Sequence, residues 1–229
     1  MKKAAAHQRL VLNIHGIGPK PSHVQPDEAH YWCEDLRVFD RILDMIPDVS
    51  ARFGTPFEIT FDDGNVSDFT FALPALTRRG MVASFFVCAG RIGHASYLDK
   101  KAMTEMVAAG MLIGSHGWNH IDWRNADRQT LTRETEDAKR TIEDTIGKQV
   151  DSVAIPFGSY DRRVINSLKI FSAVYTSDGG MAPSRSRFVP RVSYNKDWSD
   201  TKLSELASQR ERLFATFKRS VASTIKRMR

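Results

Sequence analysis

Short apolar runs alternate along the chain with longer segments whose apolar positions recur at helical spacing. The runs at 9–14, 57–61, 81–88, 111–114, 152–155, 173–176 and 188–192 read as strands, the last broken by Pro190. Between them, helices are predicted at 35–45, 68–79, 98–109, 126–146 and 162–168, with a mainly helical segment from 201 to the end. Pro47 is expected to stop the first of these, Gly80, Gly110 and Gly147 to close the next three, and Pro74 to kink or break the second. Such alternation predicts an α/β fold with a parallel sheet. His15, Asp62, Asp63, His116, Phe157, Asp178 and Arg191 all fall just after predicted strands. In a (β/α) barrel those positions share one rim.

The 229 residues suit one domain, 1–229, with a helical C-terminal segment from about residue 200. Gly16 to Tyr31 reads as a long loop rich in Pro, His and Asp, of the kind that is often functional. Its opening, His15-Gly16-Ile17-Gly18, is not a dinucleotide fingerprint, because Pro19 and Pro21 forbid the helix start that such a site needs. No apolar run approaches the length of a membrane span, and no secretory leader is apparent. The two cysteines, Cys33 and Cys88, read as free thiols in a reducing, cytoplasmic setting. The net charge of +6 sits partly in Lys218, Arg219, Lys226, Arg227 and Arg229. It permits peripheral membrane contact but reads first as a solvated helical tail, and no nucleic-acid signature accompanies it.

Two stretches carry candidate chemistry. Ile59-Thr60-Phe61 ends in Asp62-Asp63-Gly64. Neighbours on an extended chain point to opposite sides, so the two acids have different surroundings, and their mutual repulsion favours a cation nearby. Read alone, the acids and glycine also fit a plain polar turn. In Ser115-His116-Gly117-Trp118-Asn119-His120 two histidines lie four positions apart. That spacing is a weak signal alone, but one carboxylate with two imidazoles makes a common open zinc shell.

Thr60 to Gly64, Ser115 to His120 and Ile155-Pro156-Phe157-Gly158-Ser159-Tyr160 together resemble the three ordered motifs of the NodB-type polysaccharide deacetylases, carbohydrate esterase family 4. The resemblance covers roughly residues 57–191 and implies a distorted (β/α)7 barrel. It implies metal ligands Asp63, His116 and His120, with Asp62 as the base that takes a proton from a water made acidic by the ion. It also implies that the backbone N–H of Phe157, aimed by Pro156, donates to the oxyanion. The same Pro-Phe-Gly also fits a simple β-to-α turn. A divalent cation is expected; zinc suits the shell, and cobalt, nickel and iron accept similar ligands.

The chain departs from the family pattern twice. No histidine follows His120, where many members carry the general acid. Val11-Leu12-Asn13-Ile14-His15-Gly16-Ile17 is similar to the N-terminal stretch of the exopolysaccharide deacetylase subset, which makes His15 the candidate acid; a lone histidine also fits a loop cap. Ala154 stands where many members have an arginine beside the catalytic aspartate, and Arg191 is the candidate replacement. Trp118, Pro156, Tyr160 and Asp178 are candidate substrate contacts, although core filling is the commoner fate of aromatic residues. The expected function is removal of N-acetyl groups from an acetamido sugar of a cell-surface polysaccharide or its precursor. A small-molecule amide or ureide hydrolase and a non-catalytic glycan binder are the alternatives.

Overall fold

The computed structural model describes residues 8–22, 24 and 28–208. In chain order its elements are β1 (Gln8–Ile14), β2 (Gly16–Ile17), β3 (Trp32–Cys33), α1 (Leu36–Phe53), β4 (Phe57–Phe61), α2 (Leu73–Thr77), β5 (Ala83–Val87), α3 (Lys100–Ala108) and β6 (Leu112–Ser115). There follow α4 (Arg128–Thr132), α5 (Ala138–Ile146), β7 (Ser152–Ala154), α6 (Arg162–Ser167), β8 (Ala173–Thr176), β9 (Ala182–Pro183), β10 (Phe188–Pro190), β11 (Val192–Ser193) and α7 (Lys202–Ser208).

The main sheet runs β10-β8-β7-β6-β5-β4-β1-β11, and every pair along that path is parallel. β10 pairs with β8 and β11 with β1, and only Arg191 separates those two short strands. The stretch 188–193 is therefore one broken strand that closes the sheet on itself. Counted so, the described residues form a seven-stranded (β/α) barrel, and the break at Arg191 is its seam.

Side-chain alternation explains how the barrel is filled. Leu10, Leu12 and Ile14 of β1, Ile59 and Phe61 of β4, and Phe85 and Val87 of β5 face the helices. The intervening Val11 and Phe86 face inward with Ala154, Tyr175, Ala182 and Val189 as a second, enclosed core. Below that core, Arg9 pairs with Glu58 at 2.6 Å and the Tyr175 hydroxyl donates to the same carboxylate. β9 crosses the foot of β1 antiparallel. The lower end is thus closed, and ligand access is left to the carboxyl rim.

Several expectations are corrected. Pro47 does not stop α1, which continues to Phe53 and ends on Gly54 at φ 64°. Pro47 deprives the Leu43 carbonyl of its helical donor, a cost that burial of Val49 in the turn beyond helps to offset. The helix expected at 126–146 is interrupted by a π turn, Arg133–Asp137. Another π turn, Asp68–Ala72, precedes α2. The loop after β1 contains β2, which pairs with β3 in a small parallel sheet. Of the expected C-terminal helix, α7 is described to Ser208; the basic residues from Lys218 onward lie outside the described residues. Among the described residues no helix is long and apolar enough to cross a membrane. Cys33 and Cys88 are buried and unpaired with each other.

Candidate metal centre

β4 ends where its period-two alternation has special consequences. Glu58, Thr60 and Asp62 share the inward side, so Asp62 enters the barrel beside Asn13 of β1. Asp63, the next residue, takes a left-handed backbone at φ 76° and turns toward the β6 side. β6 delivers His116, whose Nδ1 lies 2.8 Å from the Ala154 carbonyl. A carbonyl only accepts, so Nδ1 carries the proton and Nε2 presents a lone pair. His120 follows one turn later at φ 55°.

These three side chains converge. Asp63 Oδ1 is 3.4 Å from His120 Nε2 and 3.9 Å from His116 Nε2, and the three candidate ligand atoms lie within 4.8 Å of one another. Burial depresses the His116 imidazole to a pKa of about 3 and that of His120 to about 4, so both are neutral ligands at neutral pH. Burial also pushes the Asp63 carboxyl up to about 6, and the nearby Asp62 charge adds to this. Neutral imidazoles with exposed Nε2 lone pairs, beside a carboxylate whose ionisation burial disfavours, fit a divalent cation.

Asp62 has a different environment. The Arg191 guanidinium binds both its oxygens, at 2.7 and 2.9 Å, and Asn13 Nδ2 donates to Oδ2 at 2.9 Å. Burial alone raises the Asp62 carboxyl, but Arg191 and His116 outweigh it and hold the group well below the usual carboxylate range. Arg191 is itself held over the faces of Phe86 and Tyr175, inner-core rings at 5.4 and 5.9 Å. His15 Nε2 approaches Asp62 Oδ2 to 3.9 Å. Burial lowers the His15 pKa from its ordinary value, against the pull of Asp62 and Asp63.

These groups line a cleft of about 570 Å³. Tyr31 and Phe157 stand on either side, 38% and 59% exposed, with rings 5.3 Å from His15 and 4.5 Å from His120 respectively. Four non-glycine residues among those described have positive φ, and three of them, Asp63, His120 and Phe157, line this cleft. Left-handed backbone at a bulky residue persists only where the surroundings enforce it, and such strain gathers at functional sites.

The other sequence candidates do not line this cleft. Pro156 is buried, and Tyr160 donates from its hydroxyl to Asp178 at 2.7 Å. Trp118 packs against Gly90, with Arg133 stacked 4.6 Å above its ring. None of Trp118, Pro156, Tyr160 and Asp178 is among the cleft-lining residues. Sequence reading missed Tyr31 and Glu28, which enter the cleft from the long loop after β1. It also missed Arg91, 3.5 Å from Asp63 Oδ1, and Glu134, which binds the loop between the two histidines.

Comparison with known proteins agrees with this architecture. Residues 54–174 match the family model described as polysaccharide deacetylase. YxkH of Bacillus subtilis (strain 168), named for the polysaccharide deacetylases, is 30% identical over 109 residues, 48% of this chain and 39% of that protein. A chitin deacetylase of Pestalotiopsis sp is 29% identical over 112 residues, 49% of this chain and 37% of that protein. The chain thus spans well under half the length of these two relatives. Among solved structures, IcaB from Ammonifex degensii aligns with a TM-score of 0.72 at 23% identity, covering 88% of this chain and 97% of that one. Streptococcus pyogenes PplD, solved with acetate, aligns at 0.74 and 22% identity, covering 87% and 98%. Likeness at that identity speaks to the fold, which is the deacetylase barrel. With the family model spanning more than half of its residues, this chain belongs to the polysaccharide deacetylase family.

Proposed function

We propose that the protein is a metal-dependent hydrolase that removes N-acetyl groups from an acetamido sugar. The observation that carries this reading is the convergence of Asp63, His116 and His120 beside an aspartate held by an arginine. In our reading Asp63, His116 and His120 hold the cation, and zinc suits two imidazoles and a carboxylate. A divalent cation bound there supplies Lewis acidity, polarising an acetamide carbonyl and making water more acidic.

The remaining roles belong to the chain. Asp62, kept ionised by Arg191, accepts a proton from the attacking water as its oxygen bonds to the carbonyl carbon. The Phe157 backbone N–H is assigned to the developing oxyanion. His15 gives a proton to the departing nitrogen, the C–N bond breaks, and acetate and a free amine result. The proton on Asp62 then passes to His15 through a water, because the 3.9 Å between them exceeds a direct hydrogen bond, and both groups are reset. Tyr31 and Phe157 offer apolar faces to a sugar ring, while Trp118, Pro156, Tyr160 and Asp178 stand outside the cleft lining. Two buried free thiols support a reducing, cytoplasmic setting.

The test is acetate release from acetamido sugars by metal-replete protein, with Asp63→Ala and Asp62→Asn as controls. Equal product from wild type and both variants would falsify the assignment. Formate, ammonia or carbamate in place of acetate would move the reaction to another amide.

A further inference from the structure

Glu134 is a fully buried carboxylate that is not among the residues lining the cleft. It lies on the π turn between α4 and α5, a distortion that recurs at functional sites. Its partners are all donors of the segment that carries the two histidines. Oε2 accepts from the Trp118 backbone N–H at 2.8 Å and from the Trp123 indole at 3.2 Å, and Oε1 accepts from the Asn119 N–H at 3.0 Å. The opposite edge of the same loop is held by β5 and its sequel. The Ala89 N–H donates to the Gly117 carbonyl at 2.9 Å and the Gly90 N–H to the Trp118 carbonyl at 3.0 Å. The loop is therefore clamped from both sides between His116 and His120.

Gly117 records how closely the carboxylate approaches. A Cβ built there would lie 2.6 Å from Glu134 Oε2, and the residue is at φ 83°. Any side chain at 117 displaces the carboxylate or breaks the bend. The bend matters because His120 sits at φ 55°, a conformation that a free loop would leave. Once the clamp opens, the Trp118 and Asn119 N–H groups lose their buried acceptor, and reorientation of the loop is the route by which they find another.

We propose that Glu134 is the positioning residue of the metal centre, fixing through the backbone of Trp118 and Asn119 the bend that brings both imidazoles onto Asp63. This rests on the metal-binding reading above. Removing such a support costs about 10- to 100-fold in metal affinity in comparable sites.

The probe is Co²⁺ alone, titrated into metal-free full-length protein, read by dissociation constant and by visible absorption. Wild type, His120→Ala, Glu134→Gln and Trp123→Phe are compared at a temperature where thermal scans show each folded. The expected result is about 10- to 100-fold weaker Co²⁺ binding and an altered absorption band for Glu134→Gln, with Trp123→Phe near wild type because both loop N–H bonds remain. If Glu134→Gln does not fold, Glu134→Asp, which keeps the charge but shortens its reach, is read by the same criteria. Wild-type affinity and spectrum in the Glu134 variant, alongside a loss in His120→Ala, overturn the proposal. No Co²⁺ binding by wild type removes the metal reading itself and this inference with it, and is distinguishable from the previous result.

Discussion

Arg191 and Asp62 are 129 positions apart in sequence, yet the guanidinium of one meets both oxygens of the other, with each side chain almost wholly buried. The pair joins the seam of the barrel to its most acidic strand end. Arg191→Ala leaves Asp62 buried without its guanidinium partner. We expect a loss of about 3–5 kcal/mol at pH 7, by urea unfolding. Asp62 is held below its unfolded pKa, so the pair's contribution is present above that value and is lost as pH falls through the folded one. The gap between wild type and variant therefore narrows as pH falls to about 4 and below. Asp62→Asn in the Arg191→Ala background should recover part of the loss; a fully additive double variant would contradict the pairing.

Metal binding should show a one-proton pH dependence. Asp63 titrates near 6, while His116 and His120 stay neutral down to about 3 and 4. Between pH 7 and pH 5 only Asp63 exchanges its proton for the cation, so affinity should fall about tenfold. Isothermal titration in two buffers of different ionisation enthalpy counts the protons released. Release of two or more at pH 6 would mean that the imidazoles are not neutral beforehand.

His15 should separate chemistry from metal binding. His15→Ala is expected to slow acetate release by about 10²- to 10⁴-fold while the metal affinity stays within twofold or so of wild type. A parallel fall in both quantities would make His15 a support of the ligand set instead of an acid.

Pro47 lies on the exposed side of α1, inside a helix that continues past it. Pro47→Ala restores a backbone donor and is expected to stabilise the protein by about 1–2 kcal/mol, after allowance for the looser unfolded chain. Urea midpoints with unchanged slope are the measurement, and a lower midpoint would show that the ring contributes packing of its own.

The strands and their carboxyl ends are legible in the sequence because fully buried parallel strands leave continuous apolar runs, and Asp62-Asp63 and His116 follow such runs directly. Asn13, the polar exception in the first run, is explained by the inward face it shares with Asp62. Other features leave no local trace. The run at 188–192 reads as one strand, and its break at Arg191 follows from pairing with two different neighbours. The continuation of α1 past Pro47 depends on the buried surface beyond it, which propensity does not contain. Glu134 looks like any acid of a charged helix until the fold sets it under the histidine loop. Trp118, singled out by its place in the motif, packs against Gly90 and the core and is absent from the cleft lining.

The sealed floor of the barrel determines how a long ligand must arrive. With Arg9, Glu58 and Tyr175 stoppering one end, the described residues leave no tunnel to thread. Under the proposed reading, a sugar bearing the acetamide reaches Asp62 and Asp63 from the carboxyl rim, because Val11, Phe86, Ala154 and Tyr175 fill the barrel beneath them. Whatever enters must back out through the opening by which it came.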